Sequence, residues 1–99
     1  MARFHVHRMR EDDALVLDLQ ADLLDDVETC VVAPLVLAKT VQARIAKLSP
    51  TISFEGREYI VWVPQMTAVP RKLLSVPLAD VSDRRDAIVA ATDFLFQGF

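Results

Sequence analysis

The sequence predicts a mainly β fold, a small barrel or sandwich, closed by a single C-terminal α-helix. Three observations carry that expectation. Short runs of alternating or β-branched residues recur from Phe4 to Val76, each bounded by turn signals. Two of these runs flank a Gly-containing turn near the centre of the chain. Only after Ser82 do apolar positions repeat at helical spacing.

In chain order, Phe4 and Val6 alternate with His5 and His7, the period of a half-buried strand. Arg8 to Asp13 is charged and reads as a turn. Leu15, Leu17 and Leu19 share one face of a second strand, with Val16 and Asp18 on the other, and a hairpin joins the two strands. Asp22-Leu23-Leu24-Asp25-Asp26 is a loop in which two Leu stand between carboxylates. The acids argue for solvent, so the Leu pair either folds inward or is presented to a partner. Cys30 to Leu37 is a strand-like run whose Pro34 suits an edge position or a bulge. Lys39 to Leu48 places Val41, Ile45 and Leu48 at helical spacing, in a segment short enough to be irregular instead.

Thr51-Ile52-Ser53-Phe54 and Glu58-Tyr59-Ile60-Val61-Trp62-Val63 form a hairpin about Glu55-Gly56-Arg57. Pro64, Pro70 and Pro77 then divide the chain into short pieces, with short strands expected at Met66–Val69 and Leu73–Val76. In the helix, Ser82 is the expected N-cap and Asp83 lies in the first turn, where the macrodipole favours it. Ile88, Ala91 and Leu95 form the apolar stripe, widened by Val89, Thr92 and Phe96. Asp86, Ala90, Asp93 and Gln97 lie on another face, and Gly98 ends the helix in a left-handed conformation.

Ninety-nine residues make one domain, 1–99, with a modest core. Apolar residues reach 53%, with 2 Gly and 5 Pro, which excludes disorder. A surplus of apolar surface on so small a body points to self-association. No apolar run approaches the ~18 residues needed to span a bilayer, and Met1-Ala2-Arg3-Phe4-His5 has no signal-peptide core, so the cytoplasm is the expected location. Cys30 stands alone and reads as a small buried hydrophobe. A net charge of −3 disfavours a grip on nucleic acid, although Arg outnumbers Lys by 8 to 3.

Catalytic constellations are faint. His5 and His7 point the same way on a strand, but two ligands without a third do not make a metal site. Asp12-Asp13 and Asp25-Asp26 are ordinary acidic turns. Arg57 with Thr51 and Ser53 is a candidate set for RNA cleavage on residue type alone. No cofactor is expected. The unusual features are the Leu23-Leu24 loop and the ending Phe94-Leu95-Phe96-Gln97-Gly98-Phe99, whose three rings would each forfeit about 2 kcal/mol if left in water. Both look like binding surface.

The same residues carry a family resemblance. Leu17 to Asp25, Val32-Ala33-Pro34-Leu35, Met66-Thr67-Ala68-Val69-Pro70 and Ala79-Asp80-Val81-Ser82 resemble successive blocks of the CcdB toxins, and Leu95-Phe96-Gln97-Gly98-Phe99 resembles that family's Met-Phe-Trp-Gly-Ile ending. The resemblance implies a homodimer of SH3-like barrels with a long C-terminal helix, the fold shared with MazF-type ribonucleases. It further implies a toxin that is not an enzyme, binds the DNA gyrase A subunit, traps the cleaved-DNA complex and is neutralised by a CcdA-like antitoxin. The target-binding residues it implies are Leu23, Leu24, Asp93, Phe96, Gln97, Gly98 and Phe99. Gln97 replaces a family Trp that stacks on gyrase Arg side chains, a loss of roughly ten- to a thousandfold in binding. Asp93 replaces an Asn. Two alternatives follow: a binding protein of this fold that keeps its antitoxin but has changed or lost its target, and a MazF-like ribonuclease.

Overall fold

The computed structural model describes residues 3–24, 26–41 and 48–98. Among these, seven strands form one bent antiparallel sheet: β1 His5–Arg8, β2 Leu15–Asp18, β3 Thr29–Leu37, β4 Thr51–Phe54, β5 Arg57–Val61, β6 Thr67–Pro70 and β7 Ala79–Asp80, followed by helix α1, Arg85–Gln97. The strand order is β4-β5-β3-β2-β1-β7, with β6 also on β3. The nine-residue β3 organises this arrangement. One edge pairs with β2, while the other pairs first with β6 (Thr29 to Val32) and then with β5 (Leu35 to Leu37). The sheet therefore forks and curls toward a barrel. Arg84 reaches across the remaining gap, its Nε donating to the Thr51 carbonyl of β4 at 2.8 Å.

Pro34 lies in this central strand, not at the edge or bulge its sequence suggested. Its carbonyl accepts the Trp62 N–H at 2.9 Å. The nitrogen of the same residue faces the same side, where β6 has ended and β5 begins. The missing N–H falls where no strand partner needs it.

The principal core packs Phe4, Val6, Leu17, Leu19, Ala33, Leu35, Ile52, Phe54, Val61 and Val63 against Val81, Ile88 and Ala91. Burial of each large member contributes about 1.5–3 kcal/mol. A second cluster on the opposite sheet face holds Met9, Val16, Cys30, Val32 and Leu74. Cys30 is buried there, as its sequence setting indicated. The hairpin about Glu55 and Gly56 lies where it was expected but with a tighter turn, since Arg57 opens β5 and the strand ends at Val61, before a 3-10 turn that takes Val63. Both turn residues have positive φ, 52° and 77°, and Phe54 pairs with Arg57. That is the two-residue loop matched to strand twist.

Four expectations need correction. Phe4 is not on the strand: its φ of 65° makes a left-handed turn before β1, at a cost of about 1–2 kcal/mol, offset by burying the ring. Leu73–Val76 is no strand. Leu74 makes only an isolated bridge to Met9, because Arg71–Leu73 forms a 3-10 turn first and Pro77 follows. Ser82 does not cap with its side chain. A 3-10 turn spans Ser82–Arg84, and the Asp80 carboxylate receives the Ser82 N–H at 2.8 Å. The histidines do not line an open polar face. His7 is buried, its Nδ1 donating to the Ser75 carbonyl at 2.8 Å. The Lys39–Leu48 segment lies largely outside the described residues, and its first two residues belong to a 3-10 turn, Ala38–Thr40.

Candidate functional site

The helix delivers four of the seven expected binding residues together. Ile88 and Ala91 anchor the first half of α1 in the core, and Val89 and Leu95 pack partly against it. Asp93, Phe96 and Gln97 stand at helical spacings of three and four, so they share one exposed face of the last turns. Phe96 is 73% exposed. Its phasing put it on the flank of the apolar stripe, but Phe94 is the half-buried ring and Phe96 projects into solvent. Gly98 stops the helix at φ 79°, its N–H donating to the Phe94 carbonyl at 2.9 Å. Phe99 lies outside the described residues.

The last turn contains no basic residue. It therefore presents the negative end of the helix dipole together with the Asp93 carboxylate, beside an exposed aromatic ring. Physically, that combination suits a partner with cationic or Arg-rich surface and an apolar recess.

The Leu loop is carried by a different element. Leu23 belongs to the 3-10 turn Asp22–Leu24, although its side chain is outside the described residues. Leu24 is 47% exposed and Val27, three residues on, is 44% exposed. Among the described residues, Asp22 Oδ1 ties the start of this loop to the Arg3 N–H at 3.0 Å, and two side chains reach its carbonyls. Arg71 Nε donates to the Val27 carbonyl at 2.7 Å and its Nη2 to the Leu24 carbonyl at 3.1 Å. Gln20 Nε2 donates to the carbonyls of Leu24 (3.3 Å) and Thr29 (3.1 Å). Neither residue was legible as part of the surface, because both act on backbone carbonyls.

The residues considered for RNA cleavage do not converge. Thr51 and Ser53 alternate with Ile52 and Phe54 along β4, and Ser53 faces Glu58 while Arg57 is registered with Phe54. Arg57 thus lies on the hairpin face opposite the two hydroxyls. The groove beside Thr51 and Ser53 has a volume of about 330 Å³ and is lined by Glu58, Asp83 and Arg84. Arg84 is already committed to the Thr51 carbonyl. Two carboxylates against one engaged guanidinium do not make a phosphate site.

A charged groove of about 360 Å³ lies between Arg3, His5, Asp22, Asp80 and Arg85. Arg3 sits over the Phe4 ring at 4.7 Å and donates to the Leu19 carbonyl at 3.2 Å. The Asp80 carboxylate is held below its ordinary pKa, first by the Ser82 backbone N–H, then by the Ser82 hydroxyl, with the nearby His5 adding to the effect. Among the described residues, no group of three or more His, Cys, Asp or Glu is arranged to hold a metal ion. No helix among them is long and apolar enough to cross a membrane.

The fold is similar to that of the Mycobacterium tuberculosis toxin MazF-mt6, with a TM-score of 0.75, 15% sequence identity, and coverage of 93% of this chain and 95% of that one. At that identity the likeness is one of fold. A family model described as CcdB protein matches residues 3–98, from the turn before β1 to the glycine that ends α1. With the curled sheet, the C-terminal helix and the ordered block series all in one match, the chain belongs to the CcdB family of toxins of toxin–antitoxin systems.

Proposed function

We propose that this chain, acting as one domain over residues 1–99, is a gyrase poison. In this reading the C-terminal face of α1 binds the DNA gyrase A subunit and traps the enzyme while its DNA is cut. The exposed Phe96 ring carries the proposal. A phenyl side chain 73% in water at a helix end gives the fold nothing, and burying it in a partner recovers about 2 kcal/mol. Asp93, Gln97, Gly98 and Phe99 extend the same surface, and Leu23 and Leu24 supply a second contact. The protein works as a homodimer in the cytoplasm, without a cofactor, without direct nucleic-acid contact and without catalysis. A CcdA-like antitoxin neutralises it.

Support comes from membership of the family and from the clustering of an apolar ring, a carboxylate and a left-handed glycine at one helix end. The test is a supercoiling assay with gyrase from the native host. Micromolar protein is expected to inhibit, and Phe96→Ala to abolish inhibition while leaving antitoxin binding intact. Full supercoiling in the presence of the unaltered protein overturns the proposal.

Gln97 favours a second reading, a binding protein that keeps its antitoxin but has a changed or lost target. Gln97→Trp separates the two. A gain of gyrase inhibition by roughly ten- to a thousandfold indicates a weakened poison. Lost toxicity indicates an interface retuned to Gln.

A further inference from the structure

We propose that Arg71 is the positioning residue for the Leu23–Leu24 loop, holding the apolar part of the target-binding surface in one conformation. The inference rests on the reading of that loop as part of the gyrase contact. Among the described side chains of the loop, Leu24 and Val27 are both close to half exposed and give it little hydrophobic anchorage. Its local order is a single 3-10 turn, closed by the Leu24 N–H on the Ala21 carbonyl at 2.9 Å, with the Val27 N–H on the Leu24 carbonyl at 3.0 Å. Turns of that length have no independent stability.

Asp22 Oδ1 accepts the Arg3 N–H at 3.0 Å at the start of the loop, and the fastening of its Leu24 and Val27 carbonyls comes from outside it. Arg71 follows β6 directly, and its own N–H donates to the Glu28 carbonyl at 2.8 Å, so its backbone is set by the β3–β6 ladder. From there the guanidinium forks to the Leu24 and Val27 carbonyls at 3.1 and 2.7 Å. Gln20 works from the other side. Its Nε2 donates to the Leu24 and Thr29 carbonyls, and its Oε1 accepts the Val31 N–H at 3.1 Å. The Leu24 carbonyl therefore receives the Val27 N–H, Arg71 and Gln20 at once, and becomes the fixed point of the loop. A planar guanidinium suits two diverging carbonyls in a way that a single ammonium does not. These bonds end on loop backbone and touch neither apolar cluster, so their loss should loosen the Leu knob without opening the barrel.

The test uses the full chain with Arg71→Met, which keeps the stem and removes the fork, and Arg71→Lys, which keeps the charge. Amide hydrogen exchange is read at Leu24 and Val27, affinity for the gyrase A subunit is read in parallel, and both are repeated in a Leu24→Ala background. The expected result is about tenfold faster exchange at those two amides in Arg71→Met, with amides of β1 to β3 unchanged. Affinity for the gyrase A subunit should fall by about tenfold, with Arg71→Lys between Met and the native residue. In the Leu24→Ala background Arg71→Met should cost nothing more, as residues acting through one another are not additive. Unchanged exchange at Leu24 and Val27 overturns the positioning role whatever the binding result. Faster exchange with undiminished gyrase affinity overturns the role in recognition. If the unaltered protein does not bind the gyrase A subunit at all, the proposed function falls, and the exchange result still decides whether Arg71 holds the loop.

Discussion

In the first half of α1, Ile88 and Ala91 are 1% and 0% exposed, whereas in its last turn Phe96 is 73% exposed. The same helix thus packs one stretch fully into the core and, at its end, leaves one ring in water beside the half-buried Phe94 and Leu95. The contrast matters because both stretches are apolar, and composition alone does not separate them. What separates them is the body beneath. Ile88 and Ala91 lie over Val63, Val81 and the strands, while the end of α1 extends a ring with no core residue to meet it. The Leu24 loop repeats the pattern on the sheet side, an apolar residue held out by polar fasteners while Leu17 and Leu19 of the preceding chain are buried.

The sharpest way to break this comparison is a pair of truncations in one helix. Ile88→Ala should lower the unfolding free energy by about 2–5 kcal/mol, since it opens a cavity in the principal core. Phe96→Ala should change it by no more than about 0.5 kcal/mol, as at an ordinary surface position. Urea unfolding of both variants reads the difference directly, and equal losses would mean that Phe96 belongs to the fold after all.

A smaller effect is expected at Gly98. Its φ of 79° lies in open space, so a methyl group there meets no neighbour and the whole penalty is conformational. Gly98→Ala should fray the last turn at a cost of about 1 kcal/mol, seen as faster amide exchange near the helix end with the first half unchanged. Asp93→Asn should stabilise the helix by about 0.3–1 kcal/mol, because it removes a negative charge from the negative end of the dipole. The same change should weaken binding to a cationic partner. A thermal shift upward with weaker target binding would mark Asp93 as a residue kept for recognition.

The least effect is expected at the other end of the helix. Because the folded-state pKa of Asp80 is lowered by Ser82, its contribution is complete above the ordinary carboxylate range and is lost as pH falls through the folded value. Asp80→Asn keeps an acceptor for the Ser82 N–H but cannot titrate. Its stability should therefore decline less steeply on acidification than that of the native chain, measured by thermal unfolding across the acid range.

Much of the barrel was legible in the sequence because its signals are local. Gly56 between two runs of β-branched and aromatic residues marked the β4–β5 hairpin, though not its two-residue turn, and the spacing of Ile88, Ala91 and Leu95 marked α1. Pro34 misled because strand position was judged from a missing donor, and only the fork in β3 shows where that donor would have pointed. Ser82 misled because a 3-10 turn at Ser82–Arg84 intervenes before α1, and the side chain that accepts a backbone N–H there is Asp80, on the Ser82 N–H itself. Of the site, the helix end and the Leu loop were visible as apolar residues without a home. Arg71 was not, because its partners are backbone carbonyls 44 and 47 residues away, and carbonyls leave no mark in a sequence.

Cleaved-complex formation with gyrase from the native host tests the central claim most directly. The unaltered protein should accumulate cut DNA bound to gyrase, and Phe96→Ala should not, although it folds with undiminished stability and still binds antitoxin. Cut DNA that accumulates equally with Phe96→Ala, or does not accumulate with either protein, would contradict a poison acting through the end of α1.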